Sequence, residues 1–517
     1  MTSRNAAPQK QSVRWLFDVT DENDTISFAR SLSPILQKGD LITLSGDLGA
    51  GKTAFARALI RALARDDALE VPSPTFTLIQ TYDTLKPPLI HCDLYRLRDP
   101  EELIELGFDE LSHESLSVVE WASHAPELET RADLDIHLSL KPGTQGVGRA
   151  IIVTARGDYV ARVKAIMDVT TLLASKEWLA AERRAIAGDA SGRYFERLTL
   201  LGKSAILMHA PPPVAGPVLR DGKTYRALAR LSESLGSFVA MSKALRHEGI
   251  SAPEIYAADI ENGLALVEDF GSEGIVSDHA PIAERYREAV AVLAHLHAKE
   301  LPQSISLSKT EAYHLPTYDL EPLLTEVELF LEWYCPAFSK ETLSDEARRE
   351  FIQLWRGLIE PCLHDRQTWT LRDYHSPNLF WLAARPDGHR IGVIDIQDSV
   401  FGHPAYDLAS LLQDARAPIS EALELELIKY YADLREAADP SFVLNEFLHA
   451  YAIYGAQRVT KILGIFVRLD QRDHKPDYLR HLPHMRAYLG RNLAYPALAP
   501  LKKWFDDFVP DLFGSAT

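Results

Sequence analysis

The sequence predicts an α/β domain over residues 1–157, a helical connector over 158–180, and a two-lobed α+β domain over 181–517. Three observations lead there. The chain has 517 residues, whereas a single hydrophobic core stops growing near roughly 250 to 300 residues, so two or three domains are expected. Up to Gly157, short β-rich runs alternate with helical stretches: LITLS, TAFARALIRALA, PLIHCDL, LSVVEW and AIIVTA follow in that order. From Gly188 the pattern changes to a glycine-containing hairpin, then to long helical stretches interrupted by two β-like islands, LALVEDFG and RIGVIDIQDS. Between the two patterns, YVARVKAIMDVTTLLASKEWLAAERRAI has helical spacing with neither glycine nor proline, which suits a helical connector or the opening helix of a second domain.

Lys plus Arg total 55 against 73 Asp plus Glu, a net charge of -18. Such a surface repels nucleic acid and anionic membranes, so any connection to RNA is expected to be indirect. The N-terminus has no apolar signal region and no run of about 18 apolar residues follows, which predicts a cytoplasmic protein without a membrane span. Cys92, Cys335 and Cys362 are scattered and form no CxxC pair, so they read as reduced structural thiols.

Residues 46 to 53 read GDLGAGKT, which fits the spacing of a phosphate-binding loop. Leu41, Ile42, Thr43 and Leu44 supply a strand before it, and Ala56, Leu59, Ile60 and Leu63 supply a helical face after it. Gly46, Asp47, Leu48, Gly49, Ala50 and Gly51 are therefore expected to wrap backbone N–H groups around ATP phosphates at a helix N-terminus. Lys52 neutralises those phosphates, and the Thr53 hydroxyl is placed to ligate Mg2+. Asp93 ends the run LIHCD and Glu120 ends LSVVE. Carboxylates at strand C-termini of an α/β sheet face the ligand crevice, so both are candidates for the metal site.

The order GDLGAGKT, SPTF (73–76), HCDLYRL (91–97) and VEW (119–121) resembles the TsaE family, the ATPases of bacterial tRNA threonylcarbamoyladenosine synthesis. The resemblance covers about residues 15 to 157. It implies a P-loop NTPase fold and an ATPase that supports partner subunits of the TsaB and TsaD type, with tRNA contacted only through them. It also implies that Lys52 and Thr53 hold phosphate and Mg2+, that Asp93 and Glu120 complete the metal site with Glu120 in a catalytic role, and that Ser73–Phe76 form a switch-like loop.

In the second half, LRDYHSPNLF places Asp373 five residues before Asn378, the D-x-x-x-x-N spacing of kinase-type phosphotransferases. The strand IGVIDIQD delivers Asp395 22 residues beyond Asp373. These three supply an aspartate for the acceptor hydroxyl, and an amide and a carboxylate for Mg2+. Upstream, GDASGRYFERL, with Gly188, Ser191 and Gly192, is expected to fold over the ATP phosphates, and LALVEDFG, with Glu268, to form the strand against adenine. The set resembles the aminoglycoside phosphotransferase superfamily and, within it, anomeric sugar kinases of the AmgK type over residues 185–500. This implies a protein-kinase-like fold and an amino-sugar acceptor, N-acetylmuramate or N-acetylglucosamine.

Two departures stand against that pattern. Leu371 occupies the place of the histidine in H-R-D, and the strand ILMHAPP carries His209 but no phosphate-directed lysine, with Lys203 nearby. His209 and His375 are either sugar contacts or structural residues. The second half is accordingly read as a sugar kinase, with a pseudokinase module regulating the ATPase as the alternative.

Overall fold

In the computed structural model, which describes residues 12–99, 102–142, 148–186, 192–213, 216–306, 312–339 and 342–513, each β-rich run of the first 157 residues is a strand. The strands are β1 (Ser12–Val19), β2 (Leu41–Ser45), β3 (Ile79–Tyr82), β4 (Leu89–Asp93), β5 (Leu116–Glu120), β6 (Leu134–Leu140) and β7 (Arg149–Arg156). They form one sheet in the order β1-β7-β6-β2-β5-β4-β3. The central pairs β6/β2, β2/β5 and β5/β4 are parallel, and the outer pairs are antiparallel. Strands β2, β4 and β5 are buried along nearly their whole length, as parallel strands covered on both faces must be. Within β5, Leu116 and Val118 point into one apolar core and Val119 into the other.

Helices α1 (Glu22–Leu32) and α2 (Lys52–Ala64) cover one face, with Phe28 against Phe55 at 5.6 Å between ring centroids. Asp21 caps α1 by accepting the Asp24 N–H. The expected connector exists as a helix, Tyr159–Ala174, but it is core rather than linker. Tyr159, Val163, Met167, Val169, Leu172 and Leu173 belong to one apolar cluster that holds residues of the seven-stranded sheet and also Leu198, Ala205, Leu207, Leu264 and Leu266. Those last residues belong to a second sheet, in the order Ile255–Asp259, Leu264–Glu268, β10 (Lys203–His209), β9 (Tyr194–Leu200), β8 (Glu182–Ile186). The compact units are therefore cut differently from the expected 1–157, 158–180 and 181–517. One unit is Met1–His209 with Tyr256–Leu266, and the other is Ala210–Ile255 with Val267–Thr517. The physical reason is that buried residues of the helix Tyr159–Ala174 share one apolar cluster with residues of both sheets, which helical spacing by itself does not reveal.

The second unit is mostly helical. Asp319, Ser344 and Ser420 each cap a following helix through a side-chain oxygen. Its longest helix, Leu444–Gln471, is buried along most of its length and passes against Leu320–Leu329. That crossing needs Gly464, because a Cβ there would lie 2.4 Å from the backbone carbonyl of Leu329. Two short antiparallel ladders, Thr368–Thr370 with Val400–Gly402 and Leu379–Trp381 with Ile391–Val393, frame the loop that contains Asp373. The second β-like island is thus only three residues long in the sheet, since the chain leaves the ladder before Asp395.

All three cysteines are buried and unbridged, and burial pushes the Cys335 and Cys362 thiols up to about 12, which suits inert structural thiols. No helix among the described residues is long and apolar enough to cross a membrane. Replacing Gly464 by Ala is expected to destabilise the protein by about 3 kcal/mol, because backbone rather than a flexible side chain must give way. Chemical denaturation would measure this, and a change below about 0.5 kcal/mol would show that the crossing accommodates a methyl group.

Candidate active sites

The turn between β2 and α2 is fixed from outside. Gly46 has φ +126°, and a Cβ there would lie 1.9 Å from the Leu138 carbonyl oxygen, so the neighbouring strand excludes every side chain. Gly49 and Gly51 also have positive φ, Leu48 is exposed at the tip, and Ala50 is buried. The Ala50 N–H donates to the Asp47 carbonyl at 3.1 Å. Arg149, which the sequence did not suggest, donates through Nε to the Ala50 carbonyl at 2.8 Å and so ties the loop to β7.

Lys52 Nζ donates to the carbonyls of Gly46 and Asp47, each at 2.8 Å, and lies 3.6 Å from the centre of the Trp121 ring. Burial lowers its pKa, against the opposing pull of Glu120, Asp93 and Asp47. Asp93 and Glu120 are register partners at the ends of β4 and β5, which sets the two carboxylates on adjacent strands at the same sheet edge. Thr53 Oγ1 donates to Glu120 Oε2 at 2.8 Å. The other Glu120 oxygen is 2.9 Å from His91 Nε2, and both side chains are fully buried. Asp93 accepts from Ser73 Oγ at 3.1 Å, Thr75 Oγ1 at 2.6 Å and the Tyr95 N–H at 3.0 Å, so the Ser73–Phe76 loop hangs from this carboxylate. The expected residues Thr53, Asp93 and Glu120 are thus brought together. A hydroxyl and two carboxylates form a hard oxygen donor set that fits Mg2+. His91 was visible in the motif HCDLYRL, but its bond to Glu120 needed the sheet.

In the second unit, Asp373, Asn378 and Asp395 also converge. Asn378 Nδ2 donates to the Asp373 carbonyl at 2.9 Å and lies 3.4 Å from Asp395 Oδ2, which leaves the amide oxygen as the free acceptor. Asp395 has φ +60° and accepts from Gln397 Nε2 at 2.9 Å. Burial alone would raise the Asp373 carboxyl, but the charges of His375, Lys461, Arg372 and Arg458 outweigh it and hold it below the usual range. Burial pushes His375 down, so it is neutral near pH 7 and the Lys and Arg charges act there. His375 sits beside Asp414, 3.9 Å from Nδ1 to Oδ1, which fits a structural role.

Leu371 is buried, and its backbone rather than its side chain is held. The Asp407 carboxylate accepts the N–H of Leu371 at 2.7 Å and of Arg372 at 2.9 Å. Arg372 has φ +66°, a position costing about 1–3 kcal/mol for a bulky residue. Its buried guanidinium pairs with Glu326 and donates to the Ala229 carbonyl at 3.1 Å. Glu326 also accepts from Tyr318 OH at 2.5 Å, Gln457 at 3.0 Å and Lys461 at 3.3 Å. Asp407, Glu326 and Lys461 lie in helices far from the loop along the chain, Asp407 being 36 residues beyond Leu371, with no local pattern to mark them.

The remaining expectations are softer in place. Glu268 ends its strand with its carboxylate paired to Arg385 and 3.4 Å from Arg246, and its backbone N–H donates to the Glu254 carbonyl at 2.9 Å. Gly192 has φ +74°, whereas Gly188 and Ser191 lie outside the described residues. His209 Nε2 is 2.8 Å from Glu196, which also binds Arg183 at 2.8 Å, and its ring stacks on Tyr194. Burial would raise Glu196, but the bonds from His209 and Arg183 bring it down to about 2. Lys203 is exposed at the start of β10.

Comparison with known proteins follows this division. Residues 19–150 match the family described as threonylcarbamoyl adenosine biosynthesis protein TsaE, and residues 182–440 match the phosphotransferase enzyme family. An N-acetylmuramate/N-acetylglucosamine kinase of Caulobacter vibrioides is 37% identical over 63% of this chain and 92% of its own length. A protein of the same description from Pseudomonas putida is 31% identical over 61% of this chain and 85% of its own length. The tRNA threonylcarbamoyladenosine biosynthesis protein TsaE of Rickettsia felis is 38% identical over 24% of this chain and 71% of its own length. The chain therefore belongs, over its first part, to the TsaE family and, over the larger second part, to the phosphotransferase enzyme family.

Proposed function

We propose that the protein is a bifunctional cytoplasmic enzyme. Its first part hydrolyses ATP in support of tRNA threonylcarbamoyladenosine formation, with subunits of the TsaB and TsaD type as partners. Its second part transfers the γ-phosphoryl group of ATP to the anomeric hydroxyl of N-acetylmuramate or N-acetylglucosamine. The observation that carries the first half is the Thr53–Glu120–Asp93 oxygen cluster beside the loop 46–51. The second half rests on the Asp373–Asn378–Asp395 cluster, and the acceptor class is taken from the 37%-identical kinase.

In the first site the loop N–H groups and Lys52 bind phosphate oxygens, while Thr53, Glu120 and Asp93 hold Mg2+. In the second, Asp373 accepts a hydrogen bond from the sugar hydroxyl and takes its proton as the oxygen bonds to phosphorus and the bond to the ADP oxygen breaks. Asn378 and Asp395 hold Mg2+, which when bound neutralises charge on the phosphates. Phosphoryl transfer of this kind asks the protein chiefly for position and electrostatics, and both clusters supply oxygens and charges rather than a covalent nucleophile. A pseudokinase role was suggested by Leu371 alone. Because Asp407 holds the loop by its backbone, the missing histidine side chain gives that alternative little support.

Transfer of labelled phosphate from ATP to a panel of amino sugars, by the full chain, tests the reading; ATP binding without transfer to any of them would return the pseudokinase alternative. Lys52→Ala is expected to weaken nucleotide binding at the first site by at least tenfold, and Glu120→Gln to abolish Mg2+-dependent hydrolysis in the partner complex while ATP still binds. Unchanged binding in the first variant, read by calorimetry with the second site disabled, would reject the phosphate-loop assignment.

Asp373→Asn is expected to lower kcat about 10³-fold with little change in ATP affinity. Since the Asp373 carboxyl is depressed, it stays ionised as pH falls, so the wild-type kcat profile should show no acidic limb above about pH 4 from this group. A limb near pH 6 would place another group in the role.

Leu371→His is expected to leave kcat within about threefold of wild type, whereas Asp407→Asn is expected to lower it tenfold or more, because the amide presents one acceptor to two N–H donors. Equal activity of Asp407→Asn and wild type would show that the loop is held by other means.

A further inference from the structure

Arg458 stands beside the phosphotransfer loop and is 5% exposed, and among the described residues its guanidinium has no partner. Its Nη1 is enclosed without an acceptor, whereas Nε and Nη2, equally without one, are not enclosed. A buried cation left without a counter-charge is costly. Arg372 and Arg435, comparably buried in the same unit, are paired with Glu326 and Asp439.

The helix Leu444–Gln471 fixes where Arg458 stands. One turn before it, a Cβ on Gly455 would lie 3.0 Å from the Gln413 side-chain oxygen, so the helix runs close against the segment that carries Asp414 and Arg416. One turn after it, Lys461 donates to Glu326 and to the Tyr406 hydroxyl. Further along, Phe466 packs on Tyr478 and His481, with ring centroids 5.5 and 5.9 Å away. Arg416 lies over the same Tyr478 ring at 5.8 Å, is half-buried, and has no acceptor for its guanidinium among the described residues.

The charges of Arg458 and Arg416 both act on His375, and that of Arg458 acts on Asp373 as well. Two carboxylates are close to them. Asp414 is already occupied, because it accepts the Ser376 N–H, the Ser376 hydroxyl and the Arg416 N–H. Asp373 is the group that receives the acceptor hydroxyl. Two guanidinium groups therefore remain without a carboxylate of their own at the place where the acceptor binds.

We propose that Arg458 and Arg416 bind a carboxylate on the acceptor sugar and so favour N-acetylmuramate over N-acetylglucosamine. The two sugars differ by a lactyl group, whose carboxylate is carried two ring carbons from the anomeric hydroxyl. The ring is short, so a sugar that offers this hydroxyl to Asp373 keeps its carboxylate in the immediate surroundings of the loop. Guanidinium and carboxylate match in plane and spacing, which makes such a pair selective as well as strong. The preference in transfer rests on the sugar-kinase reading above, while carboxylate binding is measured without it.

The test uses the full chain carrying Lys52→Ala, so that the first site contributes no ATP turnover. N-acetylmuramate is compared with its methyl ester, which nearly keeps the shape and removes the charge, and with N-acetylglucosamine. Calorimetry with ADP present reads binding, and initial rates read transfer. The acid is expected to bind about tenfold or more tightly than the ester. Arg458→Gln is expected to weaken the acid by about tenfold, chiefly in KM, and the ester and N-acetylglucosamine by less than about threefold. Arg416→Gln is expected to act in the same direction, and it decides the matter if Arg458→Gln does not fold. Equal binding of acid and ester would overturn the proposal. So would equal losses for N-acetylmuramate and N-acetylglucosamine in Arg458→Gln, which would place this arginine on the transferred phosphoryl group. Preference for the acid without transfer to either sugar would overturn the sugar-kinase reading and leave the carboxylate subsite standing. Binding of none of the three would overturn both.

Discussion

The buried carboxylate of Asp407 accepts two consecutive backbone N–H groups, those of Leu371 and Arg372, and the geometry of the phosphotransfer loop depends on it. Charge-assisted bonds of this kind contribute about 1.5–3 kcal/mol each. They are needed because the loop is strained where it turns, with Arg372 in the left-handed region. The same turn sends the Arg372 side chain inward, where Glu326 and a cation–π contact with Tyr318 at 4.9 Å receive it. Asp373 is the next residue, and the charges of His375, Lys461, Arg372 and Arg458 outweigh burial and hold its carboxyl below the usual range. Backbone bracing explains how the site forms without the histidine common at position 371. The brace needs an acceptor for N–H groups, and any residue but proline at 371 supplies the N–H.

The two sites reach similar chemistry by different backbone routes. In the first, parallel register does the placing: Asp93 pairs with Glu120 across β4 and β5, and β2 runs beside β5 to deliver the loop and Thr53. In the second, two ladders of three residues each hold the ends of the loop, and the residues with special conformation, Arg372 and Asp395, sit just beyond the ladders. Rigid strands thus end where the functional oxygens begin, which limits the entropy lost on binding a charged ligand. Beside the second site the buried Glu326 carboxylate is neutralised by the buried cations Lys461 and Arg372.

The helix Tyr159–Ala174 has a comparable role for the fold. Its buried residues belong to one apolar cluster that also holds residues of the seven-stranded and the five-stranded sheet. A division of the chain by sequence families at about residue 182 and a division by packing near residue 210 are therefore both real, and they describe different things. The first follows ancestry along the chain. The second follows which side chains exclude water together.

The sequence by itself determined the parts of this protein that are encoded locally. GDLGAGKT with its flanking strand and helix, the acids ending LIHCD and LSVVE, and the spacing of Asp373 and Asn378 were legible because each needs only a few adjacent residues in a fixed order. The tertiary structure alone decided what depends on distant partners. Arg149 holds Ala50 across 99 residues, and Asp407 holds Leu371 across 36. His209, open to a sugar-contacting reading, is taken up by Glu196 and Tyr194. The connector became core because its buried side chains share one apolar cluster with residues of both sheets. In each case the deciding quantity is a hydrogen bond or buried surface between segments far apart in the chain, and no local spacing carries that information.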